Sequence, residues 1–258
     1  MTSITILGTH VHVGRFEDTI EILVKWAETT KESRFISTCT VYTLMRAYDD
    51  AAIAHVLQEA DLVVADGMPL VWLQHWYGHK SAERIYGPDI MLSLCQEKYN
   101  RTIKHYFYGG SPHVTNMLIH SLRQRNANIC ISGYYYPPIV AEEDLSLDPT
   151  IVNLLNASEA NVIWVGLGSP KQDLWMQIYQ PHLKGKLLIG VGAAFDFISG
   201  NKAQAPEWMR HAGLEWLFRL LSEPRRLWKR YIIYNVRFLM ALFHQPRKKT
   251  PEKVNRRR

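Results

Sequence analysis

The segment LVVADGMP, residues 62–69, decides how the rest of this sequence is interpreted. Its first four residues are apolar and predict a short buried strand that ends at Ala65. Asp66 follows that strand directly, Gly67 allows a close backbone approach, and Pro69 starts a helix. An acid at this point is placed either to cap the helix or to act as a general base, and the segment alone supports both interpretations.

The same strand-to-helix pattern recurs along the chain. Short runs rich in β-branched and aromatic residues predict strands over residues 3–7, 34–37, 62–65, 105–108, 128–134, 161–165 and 186–191. Longer periodic segments predict helices over residues 16–30, 42–59, 89–100, 113–126, 150–157 and 171–182. This alternation is typical of the α/β class, here a mostly parallel Rossmann-like sheet with helices on both faces.

Glycine marks three of the turns that follow strands, at residues 66–69, 108–112 and 166–172. Ligands of such sheets bind at the carboxyl ends of the strands. The backbone N–H groups near Gly109, Gly110 and Gly168 can hold a phosphate, although a tight turn alone also explains these glycines. Lys171 and Gln172 add a cation and an amide suited to a diphosphate. Neither GxGxxG nor GxxxxGK[S/T] occurs, so the sequence does not support binding of NAD or a Walker-type ATP site.

Charge is distributed unevenly along the 258 residues, whose formal net charge is +6. Residues 201–258 carry 15 Lys and Arg but only 4 Asp and Glu, and the remainder of the chain is mildly acidic. A strongly basic tail indicates an anionic partner, such as nucleic acid, an anionic bilayer or a phosphate-bearing substrate.

Three widely spaced cysteines without a CxxC motif favour a reducing cytoplasm over a disulfide framework. No basic segment followed by a long apolar run occurs near Met1, so we expect no signal peptide. No stretch reaches the roughly 18 apolar residues that a spanning helix needs, so we expect no transmembrane segment.

His10 and His12 flank a single residue at the end of the first predicted strand and could supply two metal ligands. No further ligand accompanies them, so polar loop or helix-cap roles are the favoured explanation, and a metallohydrolase is kept as an alternative. The sequence also lacks a DxD pair. We therefore expect no metal, and cationic side chains that neutralise a leaving diphosphate instead.

Composition changes after Ala205, which predicts an α/β domain over residues 1–205 and a helical, basic appendage over residues 206–258. Helices are predicted over 206–221 and 225–243, with a disordered end at 245–258. Spacings of 7, 4 and 7 residues would place four arginines on one face of a continuous helix: Arg219, Arg226, Arg230 and Arg237. Aromatic residues interleave with them at positions 208, 216, 218, 228, 231, 234, 238 and 243. This pattern favours an interfacial membrane helix over nucleic-acid binding or a solvated basic face.

Seven motifs occur in order: DGMPLVW (66–72), RIYGPD (84–89), YFYGG (106–110), VGLGSPKQD (165–173), GVGAAFD (190–196), G (200) and GLEWLFRL (213–220). Together they closely resemble the WecG/TagA/CpsF family of glycosyltransferases, over about residues 4–243. The resemblance implies inverting, metal-independent transfer of a sugar from a UDP-sugar to a saccharide linked to polyprenyl diphosphate. The implied pathways make bacterial surface polysaccharides such as teichoic acid or exopolysaccharide. The implied sugar is N-acetylmannosamine, its uronic acid, glucose or glucuronic acid.

The resemblance also implies roles for single residues. The family's general base corresponds to Asp66, the arginine of its R-x-x-G-x-D stretch to Arg84, and the glutamine of its G-S-P-K-Q stretch to Gln172. Asp196 falls where the nucleotide pocket of the family is expected. The arginines that close over the diphosphate in the family correspond to three residues of the tail: Arg219, Arg226 and Arg230.

One position departs from the family pattern, which commonly has Thr-x-Asn at the end of the second predicted strand. Here Thr38 keeps its place, but Thr40 stands where the family has asparagine. A threonine offers one hydroxyl where the amide offers both donor and acceptor groups. We therefore expect a different substrate preference at this point.

These observations predict a cytoplasmic enzyme, peripheral on the inner face of the cell membrane, that uses no cofactor. Its expected partners are a UDP-sugar donor, a polyprenyl-diphosphate-linked acceptor and the membrane surface, but no nucleic acid. The sequence leaves open whether the chain forms a homo-oligomer. The alternative is a non-enzymatic membrane or nucleic-acid adaptor that uses the basic tail.

Overall fold

The computed structural model describes residues 1–29 and 31–244, and the backbone of residues 252–253. This part of the chain contains nine strands, which form one sheet: β1 (Thr2–Ile6), β2 (Thr9–Val13), β3 (Arg34–Cys39), β4 (Leu62–Ala65), β5 (His105–Gly109), β6 (Ile131–Tyr135), β7 (Val162–Gly166), β8 (Leu187–Gly190) and β9 (Glu252–Lys253).

The strand order is β6-β5-β7-β8-β3-β4-β2-β1-β9. Every pair from β6 to β2 is parallel, whereas β1 pairs antiparallel with β2 and with β9. The central strands are buried on both faces, which is why they are uninterrupted apolar runs such as LVVA and VIWV. The predicted class, a mostly parallel α/β sheet, is confirmed.

The described helices are α1 (Phe16–Thr29), α2 (Val41–Asp49), α3 (Ala51–Glu59), α4 (Met68–Trp76), α5 (Gly87–Leu94), α6 (Pro112–Arg125), α7 (Pro149–Ala157), α8 (Lys171–Tyr179), α9 (Ala194–Ile198), α10 (Glu207–His211), α11 (Glu215–Ser222), α12 (Pro224–Trp228) and α13 (Tyr234–His244). Short 3-10 helices span Glu97–Tyr99 and Gln180–His182, and a π-helical segment spans Lys229–Ile233.

An apolar core lies on each face of the sheet, because alternate residues of a strand point to opposite sides. Phe35 and Ile163 pack in the core that includes α2, α3, α7 and α8. Their sequence neighbours Ile36 and Trp164 pack in the core that includes α1, α5, α6 and α9. Helices therefore cover both faces, as the alternating pattern predicts.

Two departures from the sequence prediction have local causes. The single helix predicted over 42–59 is two helices, because Asp50 adopts an extended conformation and its carboxylate caps α3 through the N–H of Ala52, at 2.8 Å. Strand β2 was not predicted. It forms a hairpin with β1 through Leu7 and Gly8, whose φ angles of 46° and 85° are both positive, as a tight hairpin turn requires.

The C-terminal arm, residues 206–244, packs against the rest of the protein in several short pieces. Arg237 of α13 forms an ion pair with Asp49 of α2 at 2.6 Å, and Phe238 is buried in the core. The predicted break between residues 221 and 225 is confirmed, since α11 ends at Ser222 and α12 begins at Pro224. Because of this break and the π-helical segment, the four arginines do not lie on one continuous α-helix. The division into two domains stays a prediction. The predicted disordered end, residues 245–258, lies outside the described residues apart from β9.

Candidate active site

A cleft opens at the carboxyl ends of β3, β4 and β8, and parts of the C-terminal arm line one of its walls. It contains about 990 Å³ of space, partly open to solvent. This is where ligands bind in parallel α/β sheets. Eight of the predicted site residues line it: Thr38, Thr40, Asp66, Arg84, Gly168, Gln172, Arg219 and Arg230.

Asp66 is the first residue after β4, and its side chain is 16% exposed. Helix α4 begins after Gly67 and has no side-chain cap, so the interpretation of Asp66 as a helix cap is wrong. Burial raises the pKa of Asp66 to about 6; the nearby charge of Arg84 lowers it, and that of Glu215 raises it. A carboxylate with a pKa this close to neutrality is suited to take up a proton during a reaction.

The guanidinium of Arg84 connects Asp66 to the C-terminal arm. Its Nε donates to the backbone carbonyl of Asp66, and its Nη2 lies 3.4 Å from Asp66 Oδ1 and 2.7 Å from Glu215 Oε2. The same group lies 3.9 Å from the centre of the Tyr86 ring, and the Tyr86 hydroxyl donates to Glu215 Oε1 at 2.8 Å. Glu215 is only 7% exposed, so a carboxylate of the arm forms part of the site.

Arg219 and Arg230 line the cleft, and within the described part of the chain neither has a carboxylate partner. Arg219 lies 5.3 Å above the Phe197 ring and Arg230 lies 4.6 Å above the Tyr42 ring. Burial lowers the pKa of Arg230, and the charge of Arg219 lowers it further. An anion bound between the two guanidinium groups would offset both the burial and the repulsion.

Gln172 and Thr38 form part of the cleft floor. Gln172 is 1% exposed, and its Oε1 accepts no hydrogen bond from the described residues, so it remains available to a ligand. The Thr38 hydroxyl donates to the Gly190 carbonyl at 2.6 Å and so connects β3 to β8. Gly192 has a φ of 49°, and a Cβ there would lie 3.4 Å from Gln172 Oε1, so glycine leaves space beside this buried oxygen.

Thr40 caps α2. Its Oγ1 accepts the N–H of Thr43 at 3.3 Å, and its own N–H donates to Thr43 Oγ1 at 3.4 Å, which completes a reciprocal capping box. The residue that departs from the family pattern therefore lines the cleft while it also starts a helix.

Two predicted phosphate-binding glycines lie outside this cleft. Gly109 has a φ of 125°, and a Cβ there would come within 2.8 Å of the Gly166 backbone, so the paired ends of β5 and β7 pack closely at this point. Gly110 has a φ of 69°, and a Cβ there would come within 2.7 Å of Thr115 Oγ1. Close packing of the turn is thus sufficient to explain both glycines, and their binding of phosphate stays a prediction.

Three charged residues that the sequence predicts to contact substrate are instead paired with other groups of the protein. Lys171 Nζ donates to the Val140 carbonyl. Asp196 accepts from Asn201 Nδ2 at 2.7 Å and pairs with Lys202 at 3.5 Å. The partner of Arg226 is one turn away: Glu223, at 2.6 Å. Their contact with substrate stays a prediction.

His10 and His12 lie on β2, outside the residues that line the cleft. Burial lowers the pKa of His12 to about 4, and among the described residues no three His, Cys, Asp or Glu side chains are grouped closely enough to hold a metal ion. The structure therefore adds nothing in favour of the metallohydrolase alternative.

The sequence profile of the Glycosyl transferase WecG/TagA/CpsF family matches residues 4–252 of this chain. The chain belongs to this family. The protein is thus a glycosyltransferase, as predicted. One curated relative is an N-acetylglucosaminyldiphosphoundecaprenol N-acetyl-beta-D-mannosaminyltransferase from Bacillus spizizenii. It is 28% identical over 198 residues, which cover 77% of this chain and 74% of that relative.

In this member of the WecG/TagA/CpsF family, the sequence prediction missed Glu215 and Tyr86 as site residues. Both lie within motifs that carry the family resemblance, GLEWLFRL and RIYGPD. The signal for Glu215 was its charge, since it is one of only four acidic residues after position 200. No comparable signal distinguishes Tyr86 from other aromatic residues near a turn.

Proposed function

We propose that this glycosyltransferase moves a hexosyl group, with inversion at the anomeric carbon, from a UDP-sugar to a saccharide carried on polyprenyl diphosphate. The observation that carries the proposal is the pairing, in one cleft, of a carboxylate whose pKa is about 6 with two arginines that lack a carboxylate partner among the described residues. The carboxylate is suited to activate a hydroxyl, and the arginines are suited to hold a diphosphate.

In the proposed reaction, Asp66 accepts the proton of an acceptor hydroxyl. The oxygen attacks the anomeric carbon from the face opposite UDP, the new C–O bond forms, and the bond to the diphosphate oxygen breaks. The bonding electrons leave with UDP, and the proton remains on Asp66 until it is released to solvent. Direct displacement of this kind inverts the anomeric configuration.

Negative charge develops on the diphosphate as that bond breaks. Arg219 and Arg230 line the same cleft as Asp66, and their guanidinium groups can each donate two parallel hydrogen bonds to phosphate oxygens. We propose that these cations stabilise the leaving group without a metal ion. Their position in the C-terminal arm makes the arm part of the catalytic site.

The relative from Bacillus spizizenii supports a choice of substrates, since its name specifies an N-acetylmannosaminyl group and an N-acetylglucosaminyl diphosphoundecaprenol acceptor. We propose UDP-N-acetylmannosamine as the first donor to test, ahead of the uronic acid, glucose and glucuronic acid derivatives. Single pocket contacts discriminate between sugars, so each of these donors is compared in the test.

We propose that the arm binds a membrane surface, where a lipid-linked acceptor is held, and that this surface is the cytoplasmic face. No helix in the described part of the chain is both long enough and apolar enough to cross a bilayer. Exposed apolar side chains are nevertheless concentrated on α12, the π-helical segment and α13: Trp228, Ile232, Ile233, Val236, Leu239, Met240 and Phe243. The exposed cations Arg225 and Lys229 lie among them, as in helices that lie in the interface. The other aromatic residues of the arm are partly or fully buried, except Trp208.

The proposal is tested by incubating the full chain with each UDP-sugar and a synthetic N-acetylglucosaminyl diphosphate carried on a short lipid. We expect one UDP-sugar to give a disaccharide product with inverted anomeric configuration, and Asp66→Asn to abolish its formation. The matched control is Asp148→Asn, which keeps a good helix cap on α7 outside the cleft. Release of UDP without product in the presence of acceptor, or equal activity of Asp66→Asn, would contradict the proposal.

A further inference from the structure

Four side chains form a continuous hydrogen-bonded row beside the cleft, and two of them, Thr40 and Ser169, line it. Ser169 Oγ donates to Asp173 Oδ2 at 2.5 Å, and Thr43 Oγ1 donates to Ser169 Oγ at 3.1 Å. The Oγ1 atoms of Thr40 and Thr43 lie 3.0 Å apart. The row therefore connects a buried acid on α8 to Thr40, the residue that caps α2.

Asp173 sets the direction of these hydrogen bonds. Its side chain is fully buried, and an ionised carboxylate only accepts hydrogen bonds, so Ser169 must be the donor. Burial raises the pKa of Asp173 to about 6, and the hydrogen bond from Ser169 lowers it. The hydrogen bond from Ser169 favours the ionised form of Asp173, and the row therefore starts from an acceptor.

Counting protons fixes the last hydrogen bond of the row. Each hydroxyl has one proton and two lone pairs. Thr43 uses its proton toward Ser169, so Thr40 is the donor in the bond between the two threonines. Thr40 Oγ1 already accepts the N–H of Thr43. One lone pair and no proton remain on Thr40 for a ligand in the cleft.

Thr40 is also close to the proposed base. The N–H groups of Asp66 and Gly67 both donate to the Cys39 carbonyl, at 3.0 and 3.4 Å. A Cβ on Gly67 would lie 3.6 Å from the Cα of Thr40. A substrate group that contacts Thr40 is thus next to the reacting centre.

We propose that Asp173, acting through Ser169 and Thr43, holds Thr40 as a hydrogen-bond acceptor that selects a substrate bearing an O–H or N–H group beside the reacting centre. The inference rests on the proposed function, because it treats the cleft as the sugar site. Asp173 is a positioning residue, and Thr40 is the specificity residue that touches substrate. A hydroxyl or an acetamido N–H satisfies Thr40, whereas a carboxylate at this point is disfavoured. The group belongs either to the donor sugar or to the acceptor sugar.

The test uses three isosteric variants of the full chain: Thr40→Val, Thr43→Val and Asp173→Asn. UDP-N-acetylmannosamine and the lipid-diphosphate acceptor are varied in turn while the other is saturating. We expect each variant to raise one KM by about 3- to 10-fold, as the loss of one neutral hydrogen bond does, with kcat changed less than about twofold. The substrate whose KM rises carries the selected group.

Double variants distinguish the proposed row from three independent structural effects. Because the three residues act through one hydroxyl, the KM of each double variant should be no higher than the higher KM of its two single variants. Thr40→Ser restores the hydroxyl and should restore the KM, whereas the control Asp148→Asn leaves both KM values unchanged. Additive double variants, or a loss in kcat with both KM values unchanged, would overturn the proposal.

A second measurement tests the hydrogen-bonded row separately from the proposed function. If the wild-type protein transfers none of the sugars tested, the proposed function fails, and the row is judged by NMR titration of the full chain with ¹³C-labelled aspartate. We expect the pKa of Asp173 to rise in Ser169→Ala and, by a smaller step, in Thr43→Val, because a polarised hydroxyl is the stronger donor. An unchanged pKa of Asp173 in Thr43→Val would overturn the row itself.

Discussion

Glu215, in the C-terminal arm, holds the guanidinium of Arg84 with 2.7 Å between Oε2 and Nη2. The charge of the same carboxylate also repels that of Asp66 and raises the pKa of Asp66. Glu215→Gln removes that charge, so that Asp66 is the remaining carboxylate beside Arg84. The pKa of Asp66 should therefore fall. We expect the acid limb of the kcat profile to move to lower pH and kcat to fall, because Asp66 becomes a weaker base. The control is Glu223→Gln, which alters an acid of the arm outside the cleft and should leave the acid limb in place.

The raised pKa of Asp66 also predicts the pH dependence of the wild-type enzyme. Asp66 must be ionised to accept a proton, so kcat should fall as the pH decreases through about 6. Asp148→Asn should retain this inflection. An enzyme whose kcat is flat between about pH 5 and 8 would show that the step governed by Asp66 does not limit turnover.

Asp66→Asn should lower kcat by at least about 100-fold, the usual contribution of a general base. The same variant should make the protein more stable near neutral pH. A carboxyl whose pKa is raised on folding favours the folded state while protonated, and this contribution is lost as the pH rises from about 4 to about 6. Replacing it with a neutral amide should raise the unfolding free energy by about 1–3 kcal/mol at neutral pH, and by less near pH 4. Chemical denaturation at the two pH values measures the difference.

Arg230→Gln and Arg219→Gln should each lower kcat/KM by about 10- to 100-fold, because a charge-assisted hydrogen bond to the diphosphate is lost. UDP should bind these variants more weakly, as isothermal calorimetry will show. Arg225→Gln removes an exposed cation of the same arm, outside the cleft, and serves as the control. If UDP binds all three variants with equal affinity, the diphosphate is held elsewhere.

Transfer without a metal ion predicts full activity in excess EDTA. The measurement is the initial rate before and after dialysis against the chelator, with Mg²⁺ and Mn²⁺ added back. A loss that either ion restores would show that the cleft arginines are not sufficient to stabilise the leaving diphosphate.

Membrane binding and catalysis should separate within the arm. Trp228→Ser with Phe243→Ser removes two exposed aromatic side chains and should weaken binding to vesicles that contain anionic lipid, while transfer in detergent is preserved. Raising the salt concentration should weaken the binding of the wild-type protein, because the exposed cations are screened. Unchanged sedimentation with vesicles would place the membrane contact on another surface.

Local sequence signals were sufficient for seven of the nine described strands and for the position of Asp66, because buried parallel strands and strand-to-helix turns leave strong patterns within a few residues. The same signals could not distinguish glycines that bind phosphate from glycines that pack, since Gly109 is explained by the approach of Gly166 from a distant part of the chain. Charge alone was similarly ambiguous. Arg226 and Arg230 are equally cationic, but only Arg230 lines the cleft, since Glu223 holds Arg226 at the surface.

The π-helical segment Lys229–Ile233 makes the contacts of the arm sensitive to insertion or deletion of a residue, which a loop would tolerate. A π-turn holds one residue more than an α-turn, and one residue of an α-helix corresponds to a rotation of about 100°. Deleting a single residue here would restore a regular helix, but it would turn Arg230 or Arg237 away from its present contact. Natural variation in this stretch should consequently consist of substitutions rather than insertions or deletions.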